Sequence, residues 1–167
     1  MARAARYTAR MARRSLVLAS LLLVAGAPAA RADLGVGVFV GQPTGLDVKI
    51  GLERRTALDV VIGWDRLDDG RRGYVHATFL ANLAVARGRS VRVPLRLGVG
   101  GAVYDGGGDL GDETNVAVRA PIELGLLFRR TPLELYGELA LKLTLVDGGA
   151  DDEAIDGDGG VGLRVYF

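Results

Sequence analysis

Residues 133–146 read LELYGELALKLTLV, and their aliphatic and polar side chains alternate with a period of two. Leucines occupy six of the seven odd positions, whereas Glu134, Glu138, Lys142 and Thr144 occupy even positions. A β-strand places successive side chains on opposite faces, while a helix would distribute these leucines around its circumference. The stretch therefore predicts a strand with one aliphatic face and one polar face.

The same alternation recurs along most of the chain. It predicts eight strands, at residues 34–41, 45–53, 56–64, 74–87, 90–104, 115–128, 133–146 and 160–167. Most of them reach or approach the roughly 9 to 11 residues with which a tilted strand crosses a bilayer. Pro94 and Pro121 fall inside the fifth and sixth strands, where each removes a ladder hydrogen bond, and we expect a β-bulge to accommodate them.

The connections between these strands alternate in length. Short turns are predicted around 54–55, 87–89 and 129–132, and longer loops at 65–73, 105–114 and 147–159, with a short first loop at 42–44 as the exception. Short turns at one end and long loops at the other are typical of outer-membrane barrels. We therefore predict an all-β fold, an eight-stranded antiparallel up-and-down transmembrane β-barrel.

The polar face of the predicted strands carries six acids and six bases. These are Asp47, Lys49, Glu53, Asp59, Arg92, Arg96, Arg119, Glu123, Glu134, Glu138, Lys142 and Arg164. An enclosed charge without a partner is unfavourable by several kcal/mol, so a balanced set indicates a closed interior. We predict an interior ion-pair network and an outer aliphatic face against lipid. A soluble lipocalin-like barrel that encloses an apolar ligand, and a β-sandwich, remain as alternatives.

Residues 1–32 have the composition of a secretory signal peptide. Five arginines precede an apolar run at 16–25, and Ala30-Arg31-Ala32 supplies small residues for a signal peptidase. The apolar run is about half the ~20 residues of a spanning helix. We predict cleavage after Ala32, with Ala29 as the alternative, and a barrel domain at 33–167.

Cleavage changes the charge of the chain. Six of its 21 basic residues and none of its 20 acidic residues lie at 1–32, so the remainder carries 15 bases against 20 acids, a net charge of −5. This composition gives no basic stripe for nucleic acid. The chain has no cysteine, which excludes a disulfide or a cysteine-linked lipid anchor.

The mature chain offers little for catalysis. Its single serine, Ser90, and its single histidine, His76, are predicted at opposite ends of a barrel about 25 Å tall. A nucleophile and its base must lie within about 3 Å of each other. We therefore expect no catalytic residues, no cofactor and no enzymatic activity. A lipid-modifying outer-membrane enzyme that depends on His76 is the least favoured hypothesis.

The last long loop is acidic and could offer oxygen ligands to calcium. The weak candidate ligands are Asp151, Asp152, Glu153, Asp156 and Asp158. Their spacing does not match an EF-hand loop, and a solvated loop without a metal is the favoured interpretation.

With eight strands, basic short turns and a terminal Val-Tyr-Phe, the chain resembles the small eight-stranded outer-membrane barrels, the class of the OmpA transmembrane domain and OmpX. A second resemblance, to the opening hairpins of a bacterial barrel family, rests on Gly41-Gln42-Pro43-Thr44-Gly45-Leu46, Lys49, Ala57-Leu58-Asp59 and Gly63-Trp64. The resemblance implies the outer membrane of a Gram-negative bacterium, with periplasmic termini and external loops. It also implies that Tyr166 and Phe167 are an assembly signal for the barrel-assembly machinery.

The function predicted from these observations is structural or surface-interacting. Its expected partners are outer-membrane lipid, the assembly machinery and an extracellular ligand of the acidic loops.

Overall fold

The computed structural model describes residues 34–65, 72–105, 114–146 and 155–167. The predicted signal peptide at 1–32 lies outside this part of the chain. The strands are β1 Leu34–Gln42, β2 Thr44–Gly51, β3 Thr56–Asp65, β4 Arg72–Arg87, β5 Val91–Asp105, β6 Thr114–Phe128, β7 Leu133–Val146 and β8 Ile155–Tyr166. Each pairs antiparallel with its neighbours in sequence, and β8 pairs with β1 to close the barrel. The predicted eight-stranded antiparallel up-and-down barrel is confirmed.

Seven strands agree with their predicted bounds to within two residues, and β8 does not. It begins at Ile155 instead of Gly160. In residues 155–159 the aspartates occupy the even positions, Asp156 and Asp158. The even positions are also the polar or small ones in the rest of β8, so the alternation is continuous. Glycine and aspartate are depleted in strands, which is why the predicted strand was too short. No helix in the described ranges is long and apolar enough to cross a membrane.

The two strand prolines are accommodated without a bulge at either residue, so the predicted bulges there were wrong. The β5–β6 ladder has no partner pair at Pro94 or at Pro121 and resumes in the same register beyond each. The ladder on the other side of each proline is intact, since Pro94 pairs with Val85 and Pro121 with Ala140. The nearest register shift to Pro94 lies in β4, between Asn82 and Ala84, and the nearest to Pro121 lies in β6, between Val116 and Ala117.

The side chains are distributed in the opposite way to a water-soluble protein, with charged residues inside and apolar residues on the surface. Away from the ends of the described strands, the outward positions carry no charged residue, and large aliphatic side chains such as Leu139 and Leu141 are about two-thirds exposed. At least 31 large apolar side chains are exposed among the described residues. We call this surface the apolar belt. The inward positions carry most of the charge.

The barrel has two ends, which differ in their connections. The turn end carries the short connections at 52–55, 88–90 and 129–132, together with Leu34 and Phe167. The loop end carries the connections that contain residues 66–71, 106–113 and 147–154, and the short β1–β2 connection, where the Gln42–Pro43 peptide bond is cis.

Candidate functional site

The lumen holds ten of the twelve predicted network residues. Asp47, Lys49, Asp59, Arg96, Arg119, Glu123, Glu134, Glu138, Lys142 and Arg164 are all at least nine-tenths buried. The alternation of the strands turns all ten inward, and the closed sheet removes them from solvent.

The other two predicted members, Glu53 and Arg92, are exposed and do not belong to the network. Strand β2 ends at Gly51 because the Leu52 and Glu53 amides both donate to the Thr56 carbonyl and form a tight turn. Arg92 is the second residue of β5, where the turn end of the lumen opens to solvent. Both residues were assigned to the network because they alternate with aliphatic residues. The alternation does not show where the enclosed part of the barrel ends.

Arg164 is the centre of the network. Its fully buried guanidinium contacts four carboxylates, each from a different strand of the barrel. Nε donates to Asp47 Oδ2 at 2.5 Å, Nη2 to Asp59 Oδ1 at 2.8 Å and Nη1 to Glu123 Oε2 at 3.0 Å. Glu134 Oε2 lies 3.6 Å from Nη1. A single cation therefore holds together acids on β2, β3, β6 and β7.

Glu123 also forms ion pairs with two further basic residues. Lys49 Nζ donates to Glu123 Oε1 at 3.0 Å, and Arg96 also donates to this oxygen. Arg96 Nη2 lies 2.7 Å from Glu134 Oε1. The register places Arg96 opposite Glu123, its actual partner, but places Lys49 opposite Asp59, which pairs with Arg164 instead.

A second cluster surrounds Arg119 nearer the loop end. Nη2 donates to Glu138 Oε1 and to Asp158 Oδ1, both at 2.8 Å. Nη1 donates to Thr78 Oγ1 and lies 3.1 Å from His76 Nε2. His76 is thus buried in the lumen wall, whereas Ser90 lies in the β4–β5 turn at the opposite end of the barrel. The structure does not bring these two residues together.

Two of the five calcium candidates belong to the barrel wall. Asp158 is buried, pairs with Arg119 and accepts a hydrogen bond from the Tyr74 hydroxyl at 2.9 Å. Asp156 pairs with Lys142 at 3.0 Å. The prediction that these two aspartates lie in a loop is therefore wrong, because β8 starts earlier than predicted. The remaining candidates, Asp151, Asp152 and Glu153, lie outside the described residues.

Tyr136 was not predicted as a member of the site, although its inward parity in β7 was visible in the sequence. Its ring stacks on Phe39 with centroids 5.8 Å apart, and the guanidinium carbon of Arg164 lies 3.6 Å from its centre. Its hydroxyl donates to Asp47. Its cross-strand partner is Gly162, which leaves room for the ring.

The lumen is close to electrically balanced. Six acids and five bases are buried among the described residues; Asp158, which was not predicted to belong to the network, is one of these acids, and Glu53 is not. Carboxylate oxygens of Asp59, Glu123 and Glu138 lie within 4.8 Å of one another, a spacing that a metal ion could bridge. Each of these acids already pairs with an arginine, so the ion pairs account for the cluster.

The two predicted assembly residues face different ways. Phe167 is 82% exposed, and its amide donates to the Leu34 carbonyl. The Tyr166 ring lies over Gly35, and its hydroxyl donates to Glu134 in the lumen. Phe167 is therefore the accessible aromatic residue of the pair.

We predict different effects for two aspartates that are two residues apart in β8. Asp158→Asn should destabilise the barrel by about 1.5–3 kcal/mol, because it weakens charged hydrogen bonds of the buried Arg119. Asp156→Asn should change stability by less than about 1 kcal/mol, since this side chain is 39% exposed. Urea unfolding of the refolded barrel measures both. Equal effects would contradict the assignment of Asp158 to the buried network.

These contacts define the class of the protein as a closed eight-stranded antiparallel β-barrel with an ion-paired lumen and an apolar exterior. No protein-family model, curated protein or solved structure matches the chain. Only the barrel architecture supports its resemblance to the OmpA and OmpX class.

Proposed function

We propose that this chain is a non-enzymatic outer-membrane β-barrel protein with a structural or surface-interaction role. The observation that carries the proposal is the apolar belt around a closed barrel with charges inside. In water, so large an exposed apolar surface would promote association. In a bilayer it is favourable, and closure of the barrel satisfies the backbone hydrogen bonds that an open sheet edge would leave unpaired.

The filled lumen supports a structural role over bulk solute transport. An eight-stranded barrel has an interior just wide enough for its side chains. Here Arg164 and Arg119 hold carboxylates from several strands across that interior. The proposed interaction surface is the loop end with its acidic loops, which would face an extracellular ligand.

The exposed Phe167 supports recognition by the barrel-assembly machinery, and outer-membrane lipid is the proposed partner of the apolar belt. The lipocalin-like alternative requires an enclosed aliphatic face. Among the described residues the enclosed face is charged and the aliphatic face is exposed, so this geometry favours the membrane barrel.

Localisation can be tested by membrane fractionation of a Gram-negative host that expresses the full chain. We expect the protein in the outer-membrane fraction, with gel mobility that changes on heating because the folded barrel resists detergent. Recovery as a soluble periplasmic protein would contradict the proposal.

A charge on the apolar belt provides a sharper test. Leu139 is 70% exposed in the middle of β7, and Leu139→Arg should destabilise the barrel in lipid vesicles by about 2–4 kcal/mol if this position lies near the bilayer midplane. Urea unfolding in vesicles measures the change.

Leu52→Arg is the matched control. Leu52 is also exposed but lies in the turn after β2, where the expected effect is about 0–1 kcal/mol. A soluble barrel would tolerate either substitution within about 0.5 kcal/mol. Equal, small effects of the two substitutions would therefore count against a lipid-facing belt.

A further inference from the structure

The lumen widens at the turn end into a cavity of about 610 Å³. Seven arginines line it, of which Arg96 is buried at the floor; we call the six exposed ones the basic mouth: Arg54, Arg55, Arg87, Arg92, Arg129 and Arg130. Glu53 is the single acidic residue among the lining residues. A volume of this size is within the range of small-molecule binding sites.

The basic mouth differs from the rest of the lumen because its charges have no acidic partner within the described part of the chain. Every buried arginine described above has at least one carboxylate within 4.0 Å. None of the six arginines of the basic mouth forms such an ion pair with any residue in the described ranges. Internal ion pairing therefore explains the charges of the lumen but not those of its mouth.

The strand register brings two of these arginines directly opposite each other. Arg87 at the end of β4 pairs with Arg92 near the start of β5, and both line the cavity. Like charges at directly opposed positions destabilise a sheet. An anion bound between the two guanidinium groups would remove this repulsion.

The two basic residues on the floor of the cavity are already neutralised by a carboxylate. Lys49 and Arg96 line the cavity there, and both are held by Glu123 deeper in the lumen. Guanidinium groups present paired N–H donors that match the oxygens of a phosphate group. A phosphate with more than one negative charge would match a mouth in which six arginines face one acid.

We propose that the basic mouth is a binding site for phosphate groups of an anion that carries at least two negative charges. Two sources share this chemistry, a soluble diphosphate and the headgroup of a diphosphate phospholipid. The site is separate from the loop end and does not depend on the role proposed there.

Calorimetric titration of the refolded chain in nonionic detergent tests the proposal, with sodium pyrophosphate and cardiolipin as the two probes. We expect saturable binding of at least one probe. The double substitution Arg87→Gln and Arg92→Gln should weaken it by at least about tenfold, because it removes charged hydrogen bonds from opposed sites.

The matched control is Arg89→Gln. Arg89 lies in the same turn but does not line the cavity, so its substitution should weaken binding less than about twofold, the scale of a screened surface charge. Heat-dependent gel mobility verifies that every variant is folded.

Pyrophosphate binding that competes with cardiolipin would support a site open to soluble anions, and cardiolipin binding alone would support the lipid headgroup. The proposal is overturned if neither probe binds, or if loss of Arg89 weakens binding as much as loss of Arg87 and Arg92. Because the titration is done in detergent, either failure leaves the proposed membrane localisation intact.

Discussion

Arg164→Met is expected to destabilise the barrel by at least about 3–5 kcal/mol, because removal of one partner leaves buried charges without compensation. The substitution leaves Asp47 and Asp59 without their described basic partner. It also removes one of the bases around Glu123. Methionine fills much of the volume of the side chain, so the lost charge should dominate over the lost packing.

Urea titration of the refolded barrel, followed by Trp64 fluorescence and gel mobility, measures the loss. Arg89→Met is the control, since Arg89 forms no ion pair with the described residues and should change stability by less than about 0.5 kcal/mol. If Arg164→Met does not fold, Arg164→Lys retains the charge and should fold with an intermediate stability. Equal stabilities of the Arg164→Met and Arg89→Met variants would refute the central role of this guanidinium.

Tyr136→Ala is expected to destabilise the barrel by about 3–5 kcal/mol, as is usual for truncation of a buried aromatic side chain. Three contacts are lost together: the stack on Phe39, the face of the ring under Arg164 and the hydrogen bond to Asp47. Tyr136→Phe loses the hydrogen bond alone and should be affected less. Urea unfolding and the thermal midpoint of the gel shift measure both variants.

Gly162 makes this prediction specific to the geometry of the lumen. A Cβ atom on Gly162 would overlap the Tyr136 ring, so Gly162→Val should destabilise by about 1–3 kcal/mol through overpacking. In the Tyr136→Ala background, the valine should occupy the space left by the ring, so Gly162→Val should destabilise the barrel less than it does alone. Gly101→Val is the control, because Gly101 is exposed and its nearest Cβ neighbour would be 3.7 Å away. Strictly additive effects of the two lumen substitutions would contradict the contact.

The strands and their two faces could be predicted because alternation is a local property. Leu139 and Glu138 must point to opposite sides of β7 wherever that strand lies. Strand ends were harder to predict. Glu53 was included in the network because its parity is correct, yet the turn after Gly51 excludes it. Asp158 was assigned to a loop, although it lies in β8 and pairs with Arg119.

By itself, the sequence determined that eight alternating segments would form a barrel with one aliphatic and one charged face, because neighbouring residues decide that pattern. Only the tertiary structure decided which acid pairs with which base. Arg164 meets Asp59 and Glu123 on strands that are not its neighbours, since the closed barrel brings opposite walls within the reach of one side chain. The same closure encloses these charges and leaves Arg87 and Arg92 opposed at an open mouth, with no acidic partner among the residues that the structure describes.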